Sequence, residues 1–121
     1  MKKILIVDDE EKVRKLVEIT LSGDYLEVLH ASSGDEALEA AREAKPDIIL
    51  LDIMMPGSLD GFDVCRLLRE NPDTKDIYII MLTAKGQQAD KEKGLASGAD
   101  DYFVKPFSPM ELMHKIDKIL A

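Results

Sequence analysis

Four short apolar stretches of this sequence each stop at a side chain able to do chemistry. Ile4–Val7 stops at Asp8-Asp9, Ile48–Leu51 at Asp52, Ile77–Leu82 at Thr83, and Tyr102–Val104 at Lys105. If these stretches are parallel strands, the groups share the carboxyl edge of one sheet, where ligands of open α/β folds bind. Singly, each has an ordinary reading. Asp9 and Thr83 can cap the helices that follow, Asp52 can be a turn residue before Pro56-Gly57, and Lys105 can be half of a surface ion pair. Together they demand more. Two carboxylates ~4 Å apart cost about 4 kcal/mol at an effective dielectric near 20, against a net domain stability of roughly 5–15 kcal/mol. A cluster of Asp8, Asp9 and Asp52 therefore calls for a compensating cation.

The donor set decides which cation. Carboxylate oxygens suit Mg2+, which takes one or two carboxylates plus phosphate oxygens and waters; zinc would prefer Cys and His. Lys105 supplies a point charge for a phosphoryl oxygen, and the Thr83 hydroxyl can donate to another. Asp52 is then the carboxylate left to act as nucleophile, forming an aspartyl phosphate. The remaining work would be in-line placement of a phosphoryl donor and neutralisation of charge on its oxygens.

The elements that must position these groups are legible in the periodicity. Ile4–Val7, Ile48–Leu51 and Ile77–Leu82 are continuous apolar runs, the pattern of strands covered on both faces; Glu27–Leu29 and Tyr102–Val104 are weaker strands. Helical spacing links Val13, Leu16, Val17 and Leu21, and again Ala37, Leu38 and Ala41 after the capping-box pattern Ser33-Gly34-Asp35-Glu36. Asp60 is placed to cap a helix carrying Val64, Cys65, Leu67 and Leu68 that Asn71-Pro72 ends. Ser108-Pro109-Met110-Glu111 opens the last helix, with Pro at its first position. The segment from Gly86 to Ser97 is the poorest helix, with few apolar residues and an interrupting Gly94. Five strand-helix units predict an α/β fold, a doubly wound five-stranded parallel sheet with five helices.

Composition agrees with one globular unit over residues 1–121: 45% hydrophobic, 33% charged, with a formal charge of −8 that speaks against direct nucleic-acid binding. No apolar run reaches the ~20 residues of a membrane span, and the apolar stretch after Lys2-Lys3 is too short for a signal peptide. The expected compartment is the cytoplasm. Cys65 has no second cysteine to pair with and lies in an apolar context that predicts packing. His30 and His114 are isolated and predict surface or packing roles.

The segments Ile4–Glu10, Leu51-Asp52-Ile53-Met54-Met55-Pro56, Leu82-Thr83-Ala84 and Gly98–Phe107 resemble the receiver domain of two-component response regulators, and the resemblance covers essentially the whole chain. It implies the flavodoxin-like strand order 2-1-3-4-5. It implies that Asp52 accepts a phosphoryl group from a histidine kinase or histidine phosphotransfer protein. Asp8, Asp9 and Asp52 would hold Mg2+ with the Met54 backbone carbonyl; Lys105 would pair with phosphoryl oxygens. Thr83 and Tyr102 would act as switch residues, and the Lys105-Pro106 bond would be cis. The fourth helix, fifth strand and fifth helix would form the switching surface, and the pattern of Lys91, Asp100, Asp101 and Lys115 resembles receivers that form a phosphorylation-dependent homodimer.

Two features depart from or refine that pattern. Gly57-Ser58-Leu59 is one residue longer than the usual spacing before Asp60-Gly61, in a loop bordering the metal. Met54 and Lys85 occupy the positions where the family tunes dephosphorylation, and bulky Met54 is expected to shield an acyl phosphate from water. Rival readings fare worse. A flavin carrier would not place Asp8-Asp9-Glu10 at its phosphate loop, a dinucleotide enzyme would need Gly-x-Gly-x-x-Gly after the first strand, and an aspartate-nucleophile phosphatase would place a second Asp where Glu10 stands.

Overall fold

The computed structural model describes residues 1–21, 26–84 and 88–120. Strands and helices alternate as β1 (Lys2–Val7), α1 (Glu11–Leu21), β2 (Leu26–Ala31), α2 (Gly34–Ala44), β3 (Ile48–Asp52), α3 (Gly61–Glu70), β4 (Tyr78–Ala84), α4 (Gln88–Ala96), β5 (Asp101–Lys105) and α5 (Pro109–Leu120). All strand pairs are parallel, in the order β2-β1-β3-β4-β5. The expected doubly wound sheet and its strand order are therefore present.

The continuous apolar runs are explained by burial on both faces. Along each strand, successive side chains feed two separate cores. Leu5, Val7, Ile49, Leu51, Ile79 and Met81 pack with Val64, Cys65 and Leu68 of α3 and with Ala37 and Ala41 of α2. Ile4, Ile6, Ile48, Leu50, Ile80 and Leu82 pack with Val17 and Leu21 of α1 and with Leu112 and Ile116 of α5. Cys65 is fully buried in the first core, and burial pushes its thiol up to about 11, as expected of a packing residue.

Local signals hold with instructive differences. Ser33 caps α2 by accepting the Glu36 N–H, but the Glu36 carboxylate takes the Ser32 N–H and hydroxyl instead of closing a box on Ser33. Asp60 caps α3 in a reciprocal box with Asp63. Ser108 Oγ accepts the Glu111 N–H, with Pro109 at the first position of α5. Thr83 is not a cap: β4 runs through it to Ala84, so its side chain belongs to the sheet. Gly94 does not interrupt α4, which continues to Ala96. A Cβ there would lie 3.1 Å from Met81 Cγ, so glycine permits the close approach of α4 to β4. Lys85 and Gly86 lie outside the described residues.

Candidate functional site

Three strand ends and one loop build the site. Register places Val7 between Ala31 and Leu51, Asp52 beside Leu82, and Ala84 beside Lys105. Asp8, Asp52, Thr83 and Lys105 therefore lie at the carboxyl ends of β1, β3, β4 and β5 along one edge. Asp8 is wholly buried and Asp52 is 5% exposed. Carboxylate oxygens of Asp8, Asp9 and Asp52 lie within 4.8 Å of one another. The sequence-predicted acidic cluster is thus assembled in space.

Lys105 is the counter-charge. Its Nζ donates to Asp8 Oδ2 at 3.1 Å and to Asp52 Oδ1 at 3.2 Å, with Glu10 Oε1 at 4.0 Å. Burial works against the Lys105 ammonium, but Asp52 and Asp8 outweigh it and hold its pKa above the ordinary lysine value. Asp52 moves the other way. Burial, then the Asp8 charge, raise its pKa from 3.8 to about 6 despite the opposing pull of Lys105. One ammonium does not neutralise this cluster, so a further cation has an electrostatic reason to bind.

Main-chain contacts fix the acidic loop. Asp8 N–H donates to Ala31 O, Asp8 Oδ1 accepts the Glu10 N–H at 2.9 Å, and Arg14 Nη1 donates to Asp8 O at 2.8 Å. On the other side, Gly61 N–H donates to Ile53 O. A Cβ on Gly61 would stand 2.4 Å from the Asp52 carbonyl oxygen, so only glycine lets α3 start against the backbone of Asp52. Sequence reading passed over Arg14 and Gly61, because both act on main-chain atoms that no residue pattern reveals.

Thr83 Oγ1 is the one buried side-chain polar atom without a hydrogen-bond partner among the described residues, on a side chain 1% exposed. An unmet buried hydroxyl costs roughly 1–3 kcal/mol, so it marks a place for an acceptor from outside the chain. The hard-oxygen donors of Asp8, Asp9 and Asp52 suit Mg2+. A cleft of about 450 Å3 opens over them, lined by Asp9, Glu10, Asp52, Met54, Asp90 and Lys105 among others. Met54 is 75% exposed at this cleft. Tyr102 is half-buried on β5 with Lys91 Nζ 4.5 Å from its ring centroid. The Lys105-Pro106 bond is cis, as the resemblance implied. His30 lies 3.5 Å from Glu18 and His114 is exposed, both away from this cluster.

A family model described as the response regulator receiver domain matches residues 4–117. The chain belongs to this family. The receiver is 48% identical over 118 residues to the transcriptional regulatory protein ResD of Bacillus subtilis, covering 98% of this chain and 48% of that protein. It is also 48% identical over 120 residues to the alkaline phosphatase synthesis transcriptional regulatory protein PhoP of the same organism, again covering 98% and 48%. It thus spans about half the length of these curated relatives. The solved structure of the chemotaxis protein CheY4 of Vibrio cholerae superposes with a TM-score of 0.89 at 36% identity, covering 98% of each chain. Receiver domains of response regulators serve two-component signal transduction, are phosphorylated by histidine kinases and typically use Mg2+. No helix among the described residues is long and apolar enough to cross a membrane.

Proposed function

We propose that residues 1–121 act as one phospho-acceptor switch in the cytoplasm, with Asp52 accepting a phosphoryl group from a histidine kinase or histidine phosphotransfer protein. The observation that carries this reading is the pairing of a cation-deficient carboxylate cluster, with Asp8 and Asp52 buried and Asp9 exposed, with the unpartnered Thr83 hydroxyl at the same sheet edge. Asp8, Asp9 and Asp52, with the Met54 carbonyl, are the residues that would hold Mg2+, which when bound supplies charge neutralisation on the transferring phosphoryl oxygens.

The chain's own residues account for the rest. An Asp52 oxygen attacks phosphorus, and the donor atom leaves with the bonding pair. Lys105, already 3.2 Å from Asp52, stays with the phosphoryl oxygens as they arrive. The Thr83 hydroxyl finds its missing acceptor among those oxygens, which draws β4 toward the site. Tyr102, whose strand neighbour is Met81, fills the space behind. The change is read on α4, β5 and α5, where Lys115 pairs with Asp101 at 2.9 Å and Lys91 covers Tyr102. A phosphorylation-dependent homodimer through this face is part of the proposal; sedimentation showing a monomer with and without a phosphoryl mimic would remove it. Direct nucleic-acid binding by this acidic unit is not expected.

The acceptor is tested by trapping. After reaction with acetyl phosphate and Mg2+, borohydride reduction converts an acyl phosphate to the corresponding alcohol. Peptide mass spectrometry should place homoserine at position 52. Reduction mapping to another carboxylate would overturn the assignment.

A further inference from the structure

The wholly buried Asp8 has each of its polar atoms engaged. Its N–H donates to Ala31 O, its Oδ1 accepts the Glu10 N–H, and its Oδ2 accepts from Lys105 Nζ. That leaves the Asp8 carbonyl, which Arg14 Nη1 reaches from α1 at 2.8 Å. Arg14 also binds this loop through its main chain, donating its N–H to Glu10 O at 3.3 Å in the first turn of α1. One half-buried residue thus holds the carbonyls of both neighbours of Asp9.

Asp9 has no comparable support of its own. It is exposed, and no hydrogen bond among the described residues holds its carboxylate, which lies within 4.8 Å of carboxylate oxygens of Asp8 and Asp52. Its place is set by the main chain. A trans peptide is planar, so fixing the Asp8 carbonyl fixes the Asp8–Asp9 peptide and the position of the Asp9 Cα. The Arg14 charge works elsewhere. Burial and the charges of Asp8, Lys105 and Asp9 set the Asp52 pKa. Arg14 is felt instead at Glu36, whose carboxyl is held below its ordinary value first by hydrogen bonds from Ser32.

We infer that Arg14 is a positioning residue for the metal site: by clasping the main chain on both sides of Asp9, it presents the Asp9 carboxylate to the cation. This rests on the reading of Asp8, Asp9 and Asp52 as the Mg2+ ligands. Without the guanidinium, the buried Asp8 carbonyl lacks a donor, the peptide turns to find one, and Asp9 turns with it. Position and charge then predict opposite effects. A guanidinium close to a cation site repels the cation, so its removal would tighten binding if charge were its only contribution.

Calorimetric titration with Mg2+ of wild type, Arg14→Met and Arg14→Lys tests this. Arg14→Met keeps an unbranched apolar stem without donor or charge, and should bind Mg2+ three- to tenfold more weakly. Arg14→Lys, whose ammonium can donate to the same carbonyl, should stand closer to wild type. In the reaction with acetyl phosphate, Arg14→Met should need three- to tenfold more Mg2+ for half its maximal rate. Its rate at saturating Mg2+ should stay within twofold of wild type. Tighter Mg2+ binding by Arg14→Met would assign Arg14 a role in charge alone and overturn the inference. A lower urea midpoint with unchanged Mg2+ affinity would assign it to helix packing and overturn the inference as well. Either result leaves the metal site standing, whereas failure of wild type to bind Mg2+ would sink the site and the positioning role together.

Discussion

Replacing Asp52 by asparagine should make the metal-free receiver more stable, although it removes the residue on which the function turns. Asp52 ionises at about 6 in the folded chain against 3.8 for an ordinary aspartate, because burial and Asp8 penalise its charge. A rise of that size corresponds to about 3 kcal/mol against the charged form. The folded state therefore binds more protons than the unfolded state between those two values, and stability falls as pH rises through the window. Below about pH 3 both states hold the proton and the cost is absent; above about pH 7 it is present nearly in full. The amide of the variant keeps the shape of the carboxylate and carries no charge. In EDTA, urea unfolding of Asp52→Asn followed by circular dichroism should match wild type near pH 3 and exceed it by about 3 kcal/mol at pH 8, a midpoint shift of roughly 1–2 M. Saturating Mg2+ should narrow the gap by stabilising wild type preferentially. Equal or lower stability of the variant at pH 8 in EDTA would refute the claim that this cluster is short of positive charge.

The other predictions follow from named contacts. Lys105→Met leaves Asp8 and Asp52 buried without their ammonium, and should destabilise the chain by about 3–5 kcal/mol at pH 8, with Mg2+ restoring part of the loss in thermal melts. Gly61→Ala drives a methyl into the Asp52 carbonyl; it should cost about 1–3 kcal/mol or more and abolish modification by acetyl phosphate even where the protein remains folded by circular dichroism. Arg69→Ala strips one side chain's hydrogen bonds from Gly98, Lys75, Ile77 and Asp100, and should cost about 2–4 kcal/mol in urea unfolding. Met54→Asn should shorten the phosphoryl lifetime, followed by loss of the adduct mass after donor removal; an unchanged lifetime would reject shielding by Met54.

The parts of the site legible in the sequence were those fixed by chain order. Continuous apolar runs fit two-sided strands, which put Asp8 and Asp52 at one edge; Lys105 followed a weaker strand and joined them through the alternation of strands and helices. The pattern said less about groups that act through main-chain atoms. Arg69 bonds three carbonyls spread from Lys75 to Gly98, and Arg14 bonds the carbonyl of Asp8; each looks from sequence like any arginine on a helix. Gly94 reads as a helix breaker until Met81 is seen beneath it. Asp90 reads as an ordinary first-turn acid, because only the packing of α4 brings it to the cleft. The longer loop is likewise a tertiary matter: Leu59 packs on Gly34 and Val64 while Gly57, at φ +102, makes the exposed turn.

The central claim is that Asp52 accepts a phosphoryl group in a reaction that needs the acidic cluster loaded with Mg2+. Intact mass spectrometry after incubation with acetyl phosphate, with and without Mg2+, tests it beside an Asp52→Asn control. The account predicts one phosphoryl adduct that requires Mg2+ and is missing from the control. An adduct that forms equally in EDTA or survives in Asp52→Asn, or no adduct on folded, Mg2+-binding protein, would contradict it.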